Sequence, residues 1–435
     1  MNTEIADIAM QMAFDSGCHD LKVVLLQNHE CTIQVHNGDI ERMQQSTATS
    51  MALNLFINGR DGFFYTNKLK EEDLLSFIKQ AVETTQILEP DECRTLANPS
   101  RYYKGHGPDL KNCDHALPLI HPEKKIELAL QNNRSLEKAD KRIISTESRY
   151  SDRKHQAYYL ISNGFKGKEE SSRCTLSTIV TVEGKDGQHP MDGWGNTRIF
   201  FHDLHDDGIA QIALERTLRK IGQRPVPSGT YQMIVESPVA GHLLQPMLNA
   251  LCGQSLQQRT SFLYGKQDQQ VGSTLLTLID NPLIPGTCGA CHFDYDGVAT
   301  ECRTIFDKGI LRTYFIDTPY SNKLKMPATT QGTHHLILTP GTQSLQQLIK
   351  SSENAIMVTD FNGGNCDPAN GRFSYGIEGF LIKNGVITQP VSGMNITGDM
   401  DSLWQSLVAV ANDADPWETE LIPSLLFNEI SFGGM

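Results

Sequence analysis

His242 lies in a stretch whose pattern is typical of a metal-binding helix. Residues 230–235 form a strand-like run, and a helix-like run follows to about Leu251. A helix here could present two ligands one turn apart, but the residues one turn before His242 are Ser237 and Pro238. A catalytic zinc ion normally has three protein ligands and an open fourth position. The sequence therefore predicts a helix with His242 as a lone candidate ligand and no complete zinc site.

Four further residues with metal-binding chemistry follow later in the chain: Cys288, Cys291, His292 and Cys302. Cys-x-x-Cys-His is the attachment motif of c-type haem, but that chemistry belongs to exported proteins, and this chain shows no export signal. Three thiolates and one imidazole are also a possible tetrahedral zinc set. The neighbouring glycines and proline indicate a flexible loop, so we interpret the three cysteines as unpaired thiols.

Blocks in a fixed order along nearly the whole chain resemble the TldD/PmbA family, whose members are also called modulators of DNA gyrase. The early blocks combine strand-like runs with Asn-Gly turns, and the later ones alternate short apolar runs with glycines. The blocks that carry the resemblance are residues 20–25, 35–41, 58–67, 225–231, 296–300, 307–311, 379–385 and 408–413.

The family has two branches, and the helix around His242 distinguishes them. The TldD branch carries His-Glu-x-x-x-His on this helix and a C-terminal Cys, and it acts as a metallopeptidase. The PmbA branch, also called TldE, lacks the motif and pairs with a TldD subunit. Here Ser237 and Pro238 stand where the first His and the Glu would be, and residues 415–435 contain no Cys. The chain therefore resembles the PmbA branch.

This resemblance implies that the chain is the metal-free subunit of a zinc metallopeptidase that degrades unfolded peptides. A TldD-type partner would supply the zinc, the Glu base and the bound water, so that this chain has no cofactor and no catalytic residue of its own. Two alternatives stay open. One is a homodimeric metallopeptidase that recruits its metal through His242 and unidentified ligands, and the other is a non-enzymatic regulatory or binding protein.

The resemblance also implies which residues would line the substrate channel. In the family, the region that corresponds to residues 362–376 lies toward an interior cleft. Glycines allow a second backbone to approach closely, so a peptide could be held there by strand addition. A set of tight turns is the simpler alternative. The predicted channel residues are Ser237, His242, Gly363, Gly364 and Gly376.

Composition excludes several classes of protein. The formal net charge of −13 argues against a nucleic-acid binder, which would carry a basic face. No apolar run reaches the roughly 18 residues of a membrane span, and the acidic N-terminus has no signal core. We therefore expect a cytoplasmic protein whose 10 cysteines are mostly free thiols.

Hydrophobic periodicity predicts the main elements of the fold. Helices are expected at residues 5–13, 71–88, 122–141, 207–221 and 345–352, besides the one at His242. Strands are expected at residues 21–27, 32–36, 51–57, 143–150, 155–162, 175–183, 230–235, 304–306, 311–316, 336–339, 355–359, 379–382 and 386–389, with hairpin turns at Asn37-Gly38 and Asn58-Gly59.

These elements predict an α+β protein, because strands and helices do not alternate as a doubly wound sheet requires. A chain of 435 residues is too long for one typical core, so several domains are expected. We place an N-terminal α/β layered part at residues 1–90 and a central region packed with it at residues 91–224. A strand-rich mixed α+β domain of metallopeptidase type follows at residues 225–435.

Overall fold

The computed structural model describes residues 1–185 and 187–434. Within these ranges the chain forms α-helices joined to three sheets. The helices are α1 (Glu4–Asp15), α2 (Glu71–Gln86), α3 (Pro122–Arg134), α4 (Ile209–Arg219), α5 (Ser237–Ala250), α6 (Gly253–Gln257), α7 (Thr318–Leu324), α8 (Leu345–Ser351) and α9 (Met400–Gln405). The strands are β1 (Asp20–His36), β2 (Asp39–Ile57), β3 (Arg60–Thr66), β4 (Ile143–Ile161), β5 (Lys166–Val182), β6 (Met191–Arg198), β7 (Gly229–Val235), β8 (Leu278–Asp280), β9 (Arg303–Asp307), β10 (Ile310–Leu311), β11 (Leu336–Leu338), β12 (Asn354–Cys366), β13 (Arg372–Lys383), β14 (Val386–Asp399), β15 (Leu407–Val410), β16 (Glu420–Leu421) and β17 (Leu425–Gly434).

The first half of the chain forms one antiparallel sheet of six strands in the order β3-β2-β1-β4-β5-β6. Asn37 and Gly38 connect β1 to β2 with φ angles of 48° and 89°, as a two-residue hairpin turn requires. Strands from both sides of residue 90 lie in this sheet, because β1 pairs with β4 over residues 22–36. The N-terminal part and the central region therefore share one layer.

Helices α1 to α4 cover one face of this sheet. Side chains alternate between the two faces of a strand, so every second residue of β1 points toward these helices. Leu21, Val23 and Leu25 of β1 pack with α1 and α2, and Ile33 farther along the same face packs near α3. Val24 points to the opposite face. There a second cluster includes Phe293 and Val298 of the second half of the chain. The sheet is thus buried on both faces near its centre.

The second half of the chain contains a five-stranded and a six-stranded sheet, in the orders β10-β9-β8-β11-β16 and β14-β13-β12-β7-β17-β15. Strands β7 and β12 run parallel, and β14 also pairs with β17. This additional pairing closes β14, β13, β12, β7 and β17 into a ring. The α+β class and the strand-rich second half agree with the sequence prediction.

Several predicted elements differ in length from those observed. The two predicted strands at 21–27 and 32–36 are one strand, β1, and those at 143–150 and 155–162 are β4, because long neighbours pair with them continuously. Helix α3 ends at Arg134 rather than near residue 141, and turns follow over residues 135–139, where Lys138 has a left-handed φ of 60°. The sequence did not predict β6, whose residues 191–198 include two glycines among polar side chains.

None of the described helices combines the length and apolar character needed to cross a membrane.

Candidate functional site

Helix α5 occupies the position that the sequence predicts. It follows β7 directly, and Pro238 lies in its first turn, where the missing N–H costs nothing. Buried side chains recur at helical spacing, so one side of α5 belongs to the largest core cluster. These buried residues are Ala240, Leu243, Leu244, Met247, Leu248 and Ala250. The helix is therefore a rigid support for whatever its other side presents.

The first turn of α5 is held by hydrogen bonds to the chain before β17. The amide of Ser237 donates to Ser424 Oγ at 3.0 Å, and Ser237 Oγ donates to the carbonyl of Ile422 at 2.7 Å. Pro238 has no ligand atom. The donor set of this turn therefore does not fit a zinc ion, and the structure shows a structural use for the one hydroxyl present.

His242 lies on an exposed part of α5 and contacts two aromatic rings. Its ring lies parallel to that of Phe361, with centroids 4.5 Å apart, and meets the ring of Tyr375 edge-on at 4.8 Å. Partial burial lowers the pKa of His242, although Asp360 opposes this effect. This shift of the pKa favours the neutral imidazole, whose ring takes part in the two aromatic contacts.

The glycine-rich region lies in two paired strands rather than in tight turns. Gly363 and Gly364 belong to β12, and Gly376 to β13, with a bulge between Phe361 and Gly364. A Cβ on Gly364 would lie 1.9 Å from the Ser374 carbonyl oxygen. A Cβ on Gly376 would lie 2.3 Å from the Asn362 side chain. These two glycines are thus explained by packing within the chain.

Gly363 is different. Its φ is 136°, and a Cβ added there would meet no atom within 4 Å. Of the five predicted channel residues, the structure brings His242 beside Phe361, where the β12 bulge with Gly363 and Gly364 begins, and beside Tyr375, the neighbour of Gly376 on β13. Ser237 lies one helical turn from His242 and contacts the chain before β17 instead. The five residues do not form one cluster.

Strand β12 has a free edge next to His242. It pairs with β7 only over residues 355–358, whereas its pairing with β13 continues to Cys366. Beyond Val358, β13 is its only strand partner among the residues that the structure describes. Residues 360–366 are mostly exposed. The edge therefore offers unpaired backbone groups to another chain.

A cleft of about 750 Å³ lies on another side of α5, where Ser237, Pro238 and Gly241 form part of its wall. One guanidinium, that of Arg216, lines the cleft together with five carboxylates: Glu236, Asp413, Asp415, Glu418 and Glu420. A Cβ on Gly241 would lie 2.6 Å from Glu420 Oε2, so the absence of a side chain here lets this carboxylate approach α5 closely. The cleft therefore has a negative potential.

Burial and neighbouring carboxylates raise the pKa of two of the acidic residues that line the cleft. Partial burial raises the pKa of Glu418, and Asp415 adds to this effect. Partial burial also raises the pKa of Glu420, and the neighbouring Glu418 adds to this effect.

The acidic cleft residues were not predicted from the sequence, although four acidic residues within 413–420 were a visible signal. In the described part of the chain, no three potential ligands gather at this cleft within metal-binding distance.

An ion-pair network connects the start of α5 to the first sheet. Arg216 of α4 lies 3.2 Å from Glu236, the residue before α5, and 3.4 Å from Asp192 of β6. Lys220 lies 3.2 Å from Asp192 and 3.1 Å from Glu378 of β13. All five side chains are at most 21% exposed. The network fixes α5 relative to the central region.

The Cys-x-x-Cys-His segment does not form a metal site in the described structure. Cys288, Cys291 and Cys302 form no disulfide, and they differ in exposure from buried to exposed. His292 stacks on Tyr103 with the ring planes inclined by 4°, and its Nε2 lies 2.9 Å from the Pro108 carbonyl oxygen. Burial raises the pKa of Cys291. The segment therefore packs against residues 91–119, the irregular connector between α2 and α3.

Three family models match most of the chain. They are described as domain 1, the central domain and the C-terminal domain of PmbA/TldA metallopeptidases, and they match residues 22–85, 116–221 and 228–434.

Individual relatives also align over most of their length. Metalloprotease PmbA of Escherichia coli O157:H7 is 25% identical over 99% of this chain and 96% of its own. A metalloprotease TldD homolog of Haemophilus influenzae is 24% identical over 82% of this chain and 78% of its own.

Solved structures give the same result. A Bacteroides thetaiotaomicron protein described as a candidate modulator of DNA gyrase is 44% identical, with a TM-score of 0.98 over 100% of this chain and 99% of its own. TldE from Thermococcus kodakarensis has the same fold, with a TM-score of 0.85, 18% identity and 99% of both chains covered.

Proposed function

Because this chain belongs to the TldD/PmbA family of metallopeptidases, we propose that it is the subunit without the peptidase zinc site in a zinc peptidase complex acting on unfolded peptides. In this proposal the partner is a family member with His-Glu-x-x-x-His, which supplies the zinc site. This chain holds the peptide and shapes access to the partner's site. The complex works in the cytoplasm.

The first turn of α5 is the observation that carries the proposal. A hydrolytic zinc site needs three protein ligands and a position for water. Ser237 Oγ donates a hydrogen bond to the Ile422 carbonyl, and Pro238 has no ligand atom. His242 is engaged with Phe361 and Tyr375. The helix is retained as a support, while its donor set lacks what metal-assisted hydrolysis requires.

The free edge of β12 supports the peptide-holding role. A peptide that adds as a strand satisfies its backbone N–H and C=O groups whatever its side chains are, which suits a substrate without fixed sequence. Residues 360–366 provide such an edge, and Gly363 leaves open space beside it. His242 and Phe361 form an aromatic surface at the start of this edge. In our proposal Gly363 and His242 line the peptide path.

The acidic cleft supports a role for α5 in substrate selection. Five carboxylates against one guanidinium attract a positively charged peptide segment or a free N-terminus. The attraction is strongest at low ionic strength, because salt screens it over about 10 Å at 0.1 M. Ser237, which the sequence predicts as a channel residue, lies in this wall.

Reconstitution of the complex tests whether the partner supplies the zinc site while this chain holds the peptide. The chain is purified alone and together with a family member that carries His-Glu-x-x-x-His, and each sample is assayed for association by light scattering and for casein cleavage. We expect cleavage only in the complex, and loss of cleavage when the partner's motif Glu is changed to Gln. Cleavage by the chain alone, abolished by His242→Ala, would instead support a homodimeric peptidase.

Absence of association with any motif-bearing family member would contradict the proposal and favour a regulatory binding protein.

Backbone-modified peptides test strand addition. We expect an unstructured peptide to bind the complex, and its variant with N-methyl groups on alternate residues to bind at least about tenfold more weakly, because edge hydrogen bonds are lost. The matched control carries the same methyl groups on side chains. Equal binding of all three peptides would contradict recognition through the β12 edge.

A further inference from the structure

A second set of potential metal ligands lies away from α5, on the connector after residue 90 and on β5. The ligand atoms of Cys113, His115 and Glu170 lie within 4.8 Å of one another. Cys113 Sγ is 3.9 Å from His115 Nδ1 and 3.9 Å from Glu170 Oε2, and His115 Nδ1 is 3.2 Å from Glu170 Oε2. None of the three residues lines the acidic cleft.

The connector that carries two of these ligands is fixed to β5. The amide of Ser172 donates to the Asn112 carbonyl at 3.0 Å, and the amide of Asp114 donates to Ser172 Oγ at 2.6 Å. The carboxylate of Asp114 accepts from the amides of Ala116 and Phe201. Residues 113 and 115 are therefore held on either side of an anchored residue, next to Glu170 on the same strand as Ser172.

The Glu170 carboxylate is oriented by a neighbour. Gln156 Nε2 donates to Glu170 Oε1 at 2.7 Å, and this bond leaves Oε2 directed toward Cys113 and His115. Such outer hydrogen bonds are typical of metal ligands, because they fix which oxygen is available. Burial raises the pKa of the Cys113 thiol to about 11, so a metal ion must displace its proton, as at other thiolate sites.

The distances fit a tetrahedral zinc ion. With zinc bonds of about 2.3 Å to sulfur and about 2.0 Å to nitrogen and oxygen, ligand atoms lie ~3.5 Å from sulfur and ~3.3 Å from each other. The separations of 3.9, 3.9 and 3.2 Å differ from these by only a few tenths of an ångström. We propose that Cys113, His115 and Glu170 form a zinc site with an open fourth position.

A cavity of about 220 Å³ provides space for the fourth ligand. Its walls include Cys113, His115 and Glu170 together with Lys111, Lys168 and His292. The volume admits water, and the two lysines are balanced by Asp109 and Glu169 in the same walls, so the lining favours a neutral ligand such as water. Three protein ligands and an open position are the arrangement of reactive rather than purely structural zinc sites. The site is independent of the peptidase role, because it uses no residue of α5 or β12.

Metal titration of the full-length chain tests this inference. The chain is stripped with chelator, dialysed, and titrated with zinc chloride by calorimetry and with cobalt chloride by absorption spectroscopy. We expect one zinc ion per chain and a thiolate-to-cobalt charge-transfer band. Cys113→Ser should remove the band and weaken zinc binding about 100-fold or more, and Glu170→Gln should weaken it at least about tenfold.

Two matched variants serve as controls. Cys93→Ser removes another partly exposed free cysteine, and His242→Ala removes the histidine of α5; both should bind zinc like the unaltered chain. Thermal denaturation checks that each variant is folded. Zinc affinity unchanged by Cys113→Ser, or zinc lost with His242→Ala, would overturn the inference. Zinc bound through Cys113 without peptide cleavage by the chain alone supports it and leaves the proposed function unaffected.

Discussion

The imidazole of His242 lies parallel to the ring of Phe361, with the centroids 4.5 Å apart and the planes inclined by 13°. This contact joins the exposed side of α5 to the start of the free edge of β12. It gives the histidine a role that depends on its ring face rather than on its nitrogen atoms.

Replacement of His242 should therefore affect substrate binding more than turnover. An aromatic stack contributes about 0.5–1.5 kcal/mol beyond its buried area. We expect His242→Ala to raise KM of the reconstituted complex about 2- to 10-fold with little change in kcat, and His242→Phe to restore KM. Steady-state kinetics on an unstructured peptide measures both. Equal loss of kcat in the two variants would point to a ligand or proton-transfer role instead.

Restoration of the family motif should not create a peptidase. The double substitution Ser237→His and Pro238→Glu supplies two missing groups but no third ligand. It also removes the hydrogen bond to the Ile422 carbonyl, which costs about 1 kcal/mol. We expect no casein cleavage and a small decrease in the urea midpoint.

Zinc binding by this double variant is best measured with Cys113→Ser added, so that only α5 can contribute. Tight zinc binding and cleavage in that background would show that a third ligand is present after all.

Gly363 and Gly364 should differ sharply in their tolerance of alanine. Both have positive φ, so each substitution carries a backbone strain of about 1–3 kcal/mol. At Gly364 the new Cβ would also lie 1.9 Å from the Ser374 carbonyl oxygen, whereas at Gly363 it meets no atom within 4 Å. We expect Gly364→Ala to lower the free energy of unfolding clearly more than Gly363→Ala in urea denaturation. Equal losses would indicate that the bulge adapts.

The fold should lose stability as pH rises through the titration of Asp294. Burial, with Asp296 adding, raises the pKa of this carboxyl to about 6 from an ordinary value of about 4. Between these values the folded chain binds more protons than the unfolded chain, so its stability falls as pH rises from about 4 to about 6. The contribution is fully present below about pH 4.

Asp294→Asn isolates this effect, because its Oδ1 can still accept from the amides of Asp296 and Val298. We expect the free energy of unfolding of the variant, relative to the unaltered chain, to increase by ~1–2 kcal/mol between pH 4 and pH 7. Urea denaturation at several pH values provides the measurement. Parallel pH profiles for the two chains would contradict the assignment to Asp294.

The sequence predicted the elements whose side chains alternate or repeat clearly. It failed where neighbouring strands rather than local pattern decide the structure. Residues 28–30 are polar and partly exposed, yet they continue β1 because β2 and β4 pair with them on both sides. Residues 39–48 of β2 are exposed throughout, so no apolar pattern marks them.

The candidate site was predicted only in part, for a similar reason. The α5 helix and the absence of a ligand pair on it follow from local sequence. The partners of that helix come from remote segments: Phe361 stacks on His242, and Ile422 accepts the Ser237 hydroxyl. Cys113 and Glu170 are 57 residues apart, and only the pairing of the connector with β5 brings them together. Short-range patterns contain no signal for such contacts.

The ion pairs of Arg216 and Lys220 limit how this chain can be recombined. Glu236 and Glu378 belong to the second half of the chain, yet their positive partners are Arg216 of α4 and Lys220, the residue after it, in the first half. A fragment that begins at residue 225, or a chimaera with the first half of a distant relative, would leave these carboxylates without counter-charges. The two halves therefore have to come from the same protein, although the loop between them looks like a suitable boundary for a truncation or a chimaera.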